Sequence, residues 1–168
     1  LAEIRNEFAI RAVMRKVNSL LHESTDRDKF VTAFYGLLDW RNRVFTFSNA
    51  GHNPPILVRA NGHIEHLTEG GVALGVLPNA QYEDRPVAIH AGDVLVLYTD
   101  GVSEAENPDG EQFGQTRLER TVVRLAEHSA NEILDGIVQA VVGWAGERGQ
   151  SDDLTLMVVR ALPESDRR

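Results

Sequence analysis

Two acidic segments of the chain border strongly apolar, strand-like runs. Asp100 and Gly101 follow the run VLVLYT, whereas Asp152 and Asp153 precede the run LTLMVV. Both runs are apolar on both faces and predict central strands, where a terminal carboxylate is costly unless it is paired, hydrogen-bonded or bound to a metal. If the strands are neighbours, Asp100 and Asp152 converge at one end of a sheet. A hard divalent cation such as Mg²⁺ or Mn²⁺ would then offset their repulsion.

The spacing of these acids also has a simpler interpretation. An Asp-Gly pair after a strand is often only a turn, and an Asp-Asp pair before a strand is often a solvated loop. Spacing alone therefore leaves a metal site and a pair of turns both open. Glu104 and Glu106 could hold waters around a metal, but we favour a turn that leads into Asn107-Pro-Asp-Gly.

Other polar residues are assigned structural roles. His52 in AGHNPP has no second ligand beside it, which favours a hydrogen-bonded structural histidine over a metal ligand, and His63 and His66 are predicted to face solvent. The loop EGGVALGV could cradle a phosphate with its amides, but it matches no nucleotide-binding pattern and is interpreted as structural. Five arginines are predicted to be solvated: Arg41, Arg43, Arg59, Arg85 and Arg117.

The first part of the chain is predicted to form one helix and about six short strands. Apolar residues at helical spacing indicate an amphipathic helix over residues 4–23, within a helical segment 1–24. Residues 30–99 are β-rich, and Asn61-Gly62 is their strongest hairpin signal. The strand-like runs are FVTAFYGLLDW, RVFTFSNA, PPILVRA, HIEHLT, RPVAIH and DVLVLYT.

The second part changes to a helical period. Two capping boxes, Thr116 with Glu119 and Ser129 with Glu132, predict two helices within residues 116–146. A final strand is expected over 153–161. Strands followed by two helices and a last strand indicate a single α+β domain over 1–168, with the helices covering one face of an antiparallel sheet. The chain starts inside a helical pattern without methionine, which suggests a piece of a longer protein.

Composition narrows the class of protein. The 168 residues contain no cysteine, which excludes a disulfide framework, thiolate metal sites and a cysteine nucleophile. A net charge of −8 argues against nucleic acid as a partner. The apolar runs are far shorter than the roughly 18 residues of a membrane span, and no signal segment opens the chain. We therefore expect an acidic, cytoplasmic domain.

Six segments, taken in order, carry a resemblance to one family. They are LLHESTDRDKFVTAFYGLLD, AGHNPPILVR, GGVALGV, VLVLYTDGVSEAEN, GEQFG and SDDLTLMVVR. The chain resembles the metal-dependent type 2C (PPM) protein phosphatases, in their bacterial SpoIIE/RsbU-like branch, over roughly residues 10–161. The resemblance implies a β-sandwich of antiparallel sheets flanked by helices, with two Mn²⁺ or Mg²⁺ ions at one end. By motif match, Asp100 and Asp152 would be catalytic metal ligands, and Asp153 a lesser candidate ligand.

The resemblance also implies a reaction and partners. In this family a metal-bound water attacks the phosphorus of phosphoserine or phosphothreonine in line, so no covalent enzyme intermediate is required. Relatives in this branch dephosphorylate small anti-anti-sigma (STAS) proteins in stress or sporulation signalling, and such a phosphoprotein is the expected substrate. The N-terminal helix would be part of a switch next to an upstream sensor domain, and it could also form a dimer seam.

One departure from the family is large. The first metal motif, Asp-x-Ser-Gly-(His/Lys)-Gly, does not occur in the sequence. In the family its aspartate bridges the two ions, so the chain carries only part of the site and the fold is N-terminally incomplete. Truncation of an active phosphatase and loss of the loop both remain open. The second case predicts the alternative function, a catalytically inactive phosphatase-like binding or regulatory module.

Overall fold

The structure is a computed structural model that describes residues 2–26, 28–148 and 152–163. In chain order its elements are α1 (Ala2–Ser24), β1 (Ala33–Asp39), β2 (Val44–Ala50), β3 (Ile56–Val58), β4 (Ile64–His66), β5 (Gly70–Gly71), β6 (Arg85–Ala88), β7 (Val94–Tyr98), α2 (Asp100–Ser103), α3 (Gly114–Leu125), α4 (Ala130–Ala145), a 3₁₀ turn (Gly146–Arg148) and β8 (Leu156–Arg160). Helices combined with largely antiparallel sheets confirm the predicted α+β class. No helix in the described ranges is long and apolar enough to cross a bilayer.

The chain divides into two compact units. The first comprises Leu1–Pro54 and Leu67–Ile89, and the second comprises Pro55–His66 and His90–Arg168. In the first unit β2 pairs antiparallel with β1 and β6 and, over two residues, parallel with β5. The predicted N-terminal helix is confirmed as α1, although Leu1 lies outside the described residues. It packs through the buried side chains of Ile10 and Met14 against Leu74 and Tyr82, as an amphipathic helix should.

The second unit contains a sheet with the strand order β4-β3-β7-β8. The predicted Asn61-Gly62 hairpin is confirmed, because β3 pairs antiparallel with β4 and Gly62 has a φ of 83°. Helices α3 and α4 cover the sheet with buried apolar side chains. Leu118 and Ile137 among them are 0% exposed, and burial of each contributes about 1.5–3 kcal/mol.

The structure tests the two predicted capping boxes and the final strand. The capping box at Thr116 is wrong, because α3 already begins at Gly114 and its N-cap Phe113 makes no side-chain cap bond. Ser129 does form the predicted capping box with Glu132 at the start of α4. The final strand is shorter than predicted, at Leu156–Arg160, and it lies at one end of the sheet order rather than centrally. The central position predicted from the apolar run LTLMVV is therefore wrong, and Met157 within the strand is 57% exposed.

Candidate metal centre

Two neighbouring strands place the candidate aspartates at one end of the second unit's sheet. Strand β7 pairs antiparallel with β8, and Tyr98 at the end of β7 lies opposite Leu156 at the start of β8. Asp100 therefore leaves the sheet where Asp152 and Asp153 approach it. The pairing continues one step further, since the Thr99 amide donates to the Thr155 carbonyl at 3.1 Å. The two acidic segments thus flank the same strand junction.

Gly101 allows the two segments to approach closely. A Cβ atom at position 101 would collide with the carbonyl oxygen of Asp153 and would lie 3.0 Å from its carbonyl carbon. Both atoms belong to the backbone and cannot move aside as a flexible side chain could. The glycine next to Asp100 is therefore required by a close backbone approach, which a side chain at this position would prevent.

The three carboxylates are exposed, and this corrects one expectation. Asp100 begins the short helix α2 and is exposed, as are Asp152 and Asp153. Because all three carboxylates are exposed, none carries the desolvation cost that is expected for a carboxylate buried at the end of a central strand. Asp100 accepts a hydrogen bond from the Gly101 amide at 3.0 Å, and Asp152 accepts one from the Asp153 amide at 2.7 Å. These short bonds orient the carboxylates and leave them solvent-accessible.

The chemistry of these groups suits a hard divalent cation. Carboxylate oxygens at a solvent-accessible edge are the donors that Mg²⁺ and Mn²⁺ prefer, with water completing the coordination. The described residues contain no group of three or more His, Asp or Glu side chains arranged to hold a metal. Asp100, Asp152 and Asp153 thus suit a divalent cation by their donor chemistry, but they do not form such a group by themselves.

The neighbouring acids Glu104 and Glu106 lie in an ordered turn. Glu104 is the C-cap residue of α2, and Glu106 forms an isolated bridge with Gln112. Asn107 accepts hydrogen bonds from the amides of Asp109 and Glu111 at 3.1 Å and 2.8 Å. This is the ordered turn that the Asn-Pro-Asp-Gly sequence predicted.

The histidines divide between structural and paired roles. His52 lies 3.4 Å from the Thr32 hydroxyl, and its amide donates to Asn49 at 2.8 Å, in agreement with a structural histidine. His63 is exposed as predicted. The prediction that His66 only faces solvent is wrong, because its Nε2 lies 2.8 Å from Glu119. Burial, with a smaller contribution from the charge of Glu119, raises the pKa of nearby Tyr98.

At least three of the five arginines predicted to be solvated have protein partners. Arg85, in the first unit, pairs with Glu69 at 2.6 Å. Arg59 is 17% exposed and pairs with Asp93 at 2.8 Å and with Glu65 at 2.7 Å. Arg117 stacks on the Trp144 ring, with its guanidinium carbon 3.9 Å from the centroid. The sequence around Arg59 and Arg117 does not predict these contacts, because Asp93 and Trp144 lie far away along the chain. The contacts of Arg59 and Arg117 stabilise the second unit and do not involve the candidate aspartates.

Sequence comparison matches the chain to a known family. The sequence model of SpoIIE (Stage II sporulation protein E) matches residues 2–162. Protein IcfG of Synechocystis sp. is 35% identical over 151 residues, which cover 89% of this chain and 24% of that protein. Phosphoserine phosphatase RsbU of Bacillus subtilis is 26% identical over 149 residues, which cover 88% of this chain and 44% of that protein. The chain thus spans less than half the length of these curated relatives.

Solved structures share the fold. The SiaA-PP2C domain of Pseudomonas aeruginosa aligns with a TM-score of 0.77 at 21% identity, over 90% of this chain and 60% of that one. The phosphatase domain of SpoIIE from Bacillus subtilis aligns with a TM-score of 0.68 at 19% identity, over 94% of this chain and 68% of that one. At these identities the likeness establishes the architecture, which is that of PP2C phosphatase domains.

Proposed function

The chain belongs to the SpoIIE family, and from that premise we propose that it hydrolyses phosphoserine or phosphothreonine in a protein substrate. Its fold is that of the PP2C phosphatase domains, and the resemblance to the metal-dependent type 2C phosphatases implies a need for metal ions. The observation that supports the proposal most is the strand junction where Asp100 meets the Asp152–Asp153 segment. Mn²⁺ or Mg²⁺ is the proposed cofactor because the donors are carboxylate oxygens.

Asp100 and Asp152 are the proposed ligands, and Asp153 is a lesser candidate. A divalent cation held by these residues would supply positive charge for the phosphoryl oxygens and would help to activate a water. The exposed aspartates leave the sheet end open to a phosphorylated side chain on another protein. The chain contains no cysteine, so a cysteine nucleophile takes no part in the reaction.

The proposed substrate is a phosphorylated anti-anti-sigma (STAS) protein. This proposal rests on the RsbU-like resemblance, and one relative is named a phosphoserine phosphatase. We therefore propose serine as the phosphorylated residue of the substrate. The same proposal includes a cytoplasmic location and an upstream sensor domain that acts through α1.

The test is phosphate release from a phosphoserine peptide by the 168-residue chain with Mn²⁺, with Mg²⁺ and with a chelator. We expect metal-dependent turnover that falls at least about 100-fold in Asp100→Asn and in Asp152→Asn, because loss even of a ligand's outer partner costs 10- to 100-fold. Asp109→Asn is the matched control, since Asp109 is exposed in the turn after α2. Turnover that survives both substitutions, or that persists in the chelator, would contradict the proposal.

The alternative is a phosphatase-like module that binds a partner without catalysis. A module of this kind binds its phosphoprotein partner equally well before and after Asp100→Asn and releases no phosphate. An enzyme releases phosphate, and the same substitution abolishes that release.

A further inference from the structure

Thr99 joins the two segments that carry the candidate ligands. Its side-chain hydroxyl oxygen accepts a hydrogen bond from the Thr155 amide at 3.0 Å and donates one to the Asp153 carbonyl at 3.3 Å. Its own amide donates to the Thr155 carbonyl at 3.1 Å. One side chain therefore bonds the end of β7 to Asp153 and Thr155, the first and third residues after Asp152.

These bonds lie where regular strand pairing stops. The β7–β8 ladder ends at Tyr98 opposite Leu156, and beyond it one further backbone bond joins the two segments, from the Thr99 amide to the Thr155 carbonyl. The Thr99 hydroxyl adds two more bonds at this position. Gly101 also brings the two segments together, because it lets the Asp153 carbonyl approach the backbone of α2.

We propose that Thr99 is a positioning residue whose hydroxyl sets the distance between Asp100 and the Asp152–Asp153 segment, and thereby the affinity for a divalent cation. The inference rests on the proposed metal role of these aspartates. Exposed carboxylates on two separate segments bind a cation tightly only if the segments are already held in place, because ordering them on binding would cost free energy. The hydroxyl, which accepts from one backbone amide and donates to one backbone carbonyl, provides this preorganisation.

The primary experiment measures Mn²⁺ binding to the full 168-residue chain by the electron paramagnetic resonance signal of free Mn²⁺. Thr99→Val keeps the shape of the side chain and removes the hydroxyl, and we expect it to weaken binding about 10- to 100-fold, the range for partners that orient a ligand. Thr99→Ser retains the hydroxyl and should restore affinity close to that of the unchanged chain. A general loss of packing would not be rescued in this way.

Thr155→Val is the matched control. Thr155 contributes its backbone amide and carbonyl to the junction, whereas its side chain is exposed. The substitution should leave Mn²⁺ affinity unchanged. Equal affinities of Thr99→Val and the unchanged chain would overturn the inference.

A second measurement needs no variant and covers the case in which Thr99→Val fails to fold. Because coupling between two binding events is reciprocal, saturation with Mg²⁺ should slow hydrogen exchange of the Thr155 amide, which donates to the Thr99 hydroxyl. Unchanged exchange at Thr155 would overturn the inference.

Failure of the proposed function gives a different pattern. If Asp100→Asn binds Mn²⁺ as well as the unchanged chain does, or if the unchanged chain does not bind it, the metal role of the aspartates is wrong and the inference falls with it. If Asp100→Asn abolishes binding while Thr99→Val does not weaken it, the metal role stands and only the inference about Thr99 is wrong.

Discussion

Asn18 accepts a hydrogen bond from the amide of Gly75 at 2.9 Å, which links α1 to the glycine-rich loop of the first unit. The same side-chain oxygen accepts from the Tyr82 hydroxyl at 3.1 Å, and its Nδ2 donates to the Leu77 carbonyl at 2.8 Å. Asn18 is 1% exposed, so water cannot replace these partners. The Gly75 amide is therefore occupied by a protein partner, which favours a structural role for the loop over a phosphate cradle.

Replacing Asn18 with leucine should strongly destabilise the protein. The substitution keeps the size of the side chain but removes the partners of one amide, one carbonyl and one hydroxyl. Because the Gly75 amide and the Tyr82 hydroxyl are buried and each buried unpaired group costs about 1–3 kcal/mol, we expect a loss of roughly 2 kcal/mol or more in the free energy of unfolding. Urea denaturation followed by circular dichroism measures this loss.

The control for this prediction is Asn131→Leu. Asn131 is exposed near the start of α4, and exposed substitutions usually change stability by less than about 0.5 kcal/mol. A similar urea midpoint for Asn18→Leu and Asn131→Leu would show that the buried hydrogen bonds of Asn18 contribute little.

The capping box of α4 predicts a pH dependence of stability. The Ser129 hydroxyl and amide donate to the Glu132 carboxylate at 2.7 Å and 2.8 Å, and these bonds lower the pKa of Glu132 below its usual value of 4.5. A carboxyl whose pKa is depressed in the folded state stabilises the fold above its unfolded pKa, and this contribution is lost as the pH falls through the folded pKa.

Glu132→Gln should therefore be less stable than the unchanged chain at pH 7, and the difference should shrink as the pH falls below 4.5. The stability difference between Ser129→Ala and the unchanged chain should also shrink below this pH, because the substitution removes the hydroxyl donor. Urea midpoints measured from pH 7 downward test this. A stability difference that stays constant over the whole range would contradict the assigned role of the Glu132 charge.

The sequence predicted those features that depend on neighbouring residues along the chain. The amphipathic period of α1, the Asn61-Gly62 hairpin and the Ser129 capping box are local patterns, and all three are confirmed. The sequence also placed Asp100 and Asp152 beside strands that prove to be neighbours. Their role as metal ligands stays a prediction.

The features that the sequence did not predict depend on partners far along the chain. Thr99 looks like an ordinary strand residue, and its contacts with Asp153 and Thr155 follow only from the pairing register of β7 and β8. Asn18 likewise meets its partners only in the folded first unit. The Thr116 capping pattern fails for a related reason, since the same residue spacing occurs inside a helix that starts earlier.

Two glycines should respond in opposite directions to replacement by alanine. At Gly101 the added Cβ would collide with the backbone carbonyl of Asp153, and we expect a loss of about 1–3 kcal/mol in the free energy of unfolding, as for other overpacked sites. At Gly143 in α4 the Cβ would meet nothing within 4 Å, and the higher helix propensity of alanine should stabilise the fold by about 0.5–1 kcal/mol. Urea denaturation of both variants, compared with the unchanged chain, measures the two signs. If Gly101→Ala were as stable as Gly143→Ala, the close approach between α2 and the Asp152–Asp153 segment would not exist in solution.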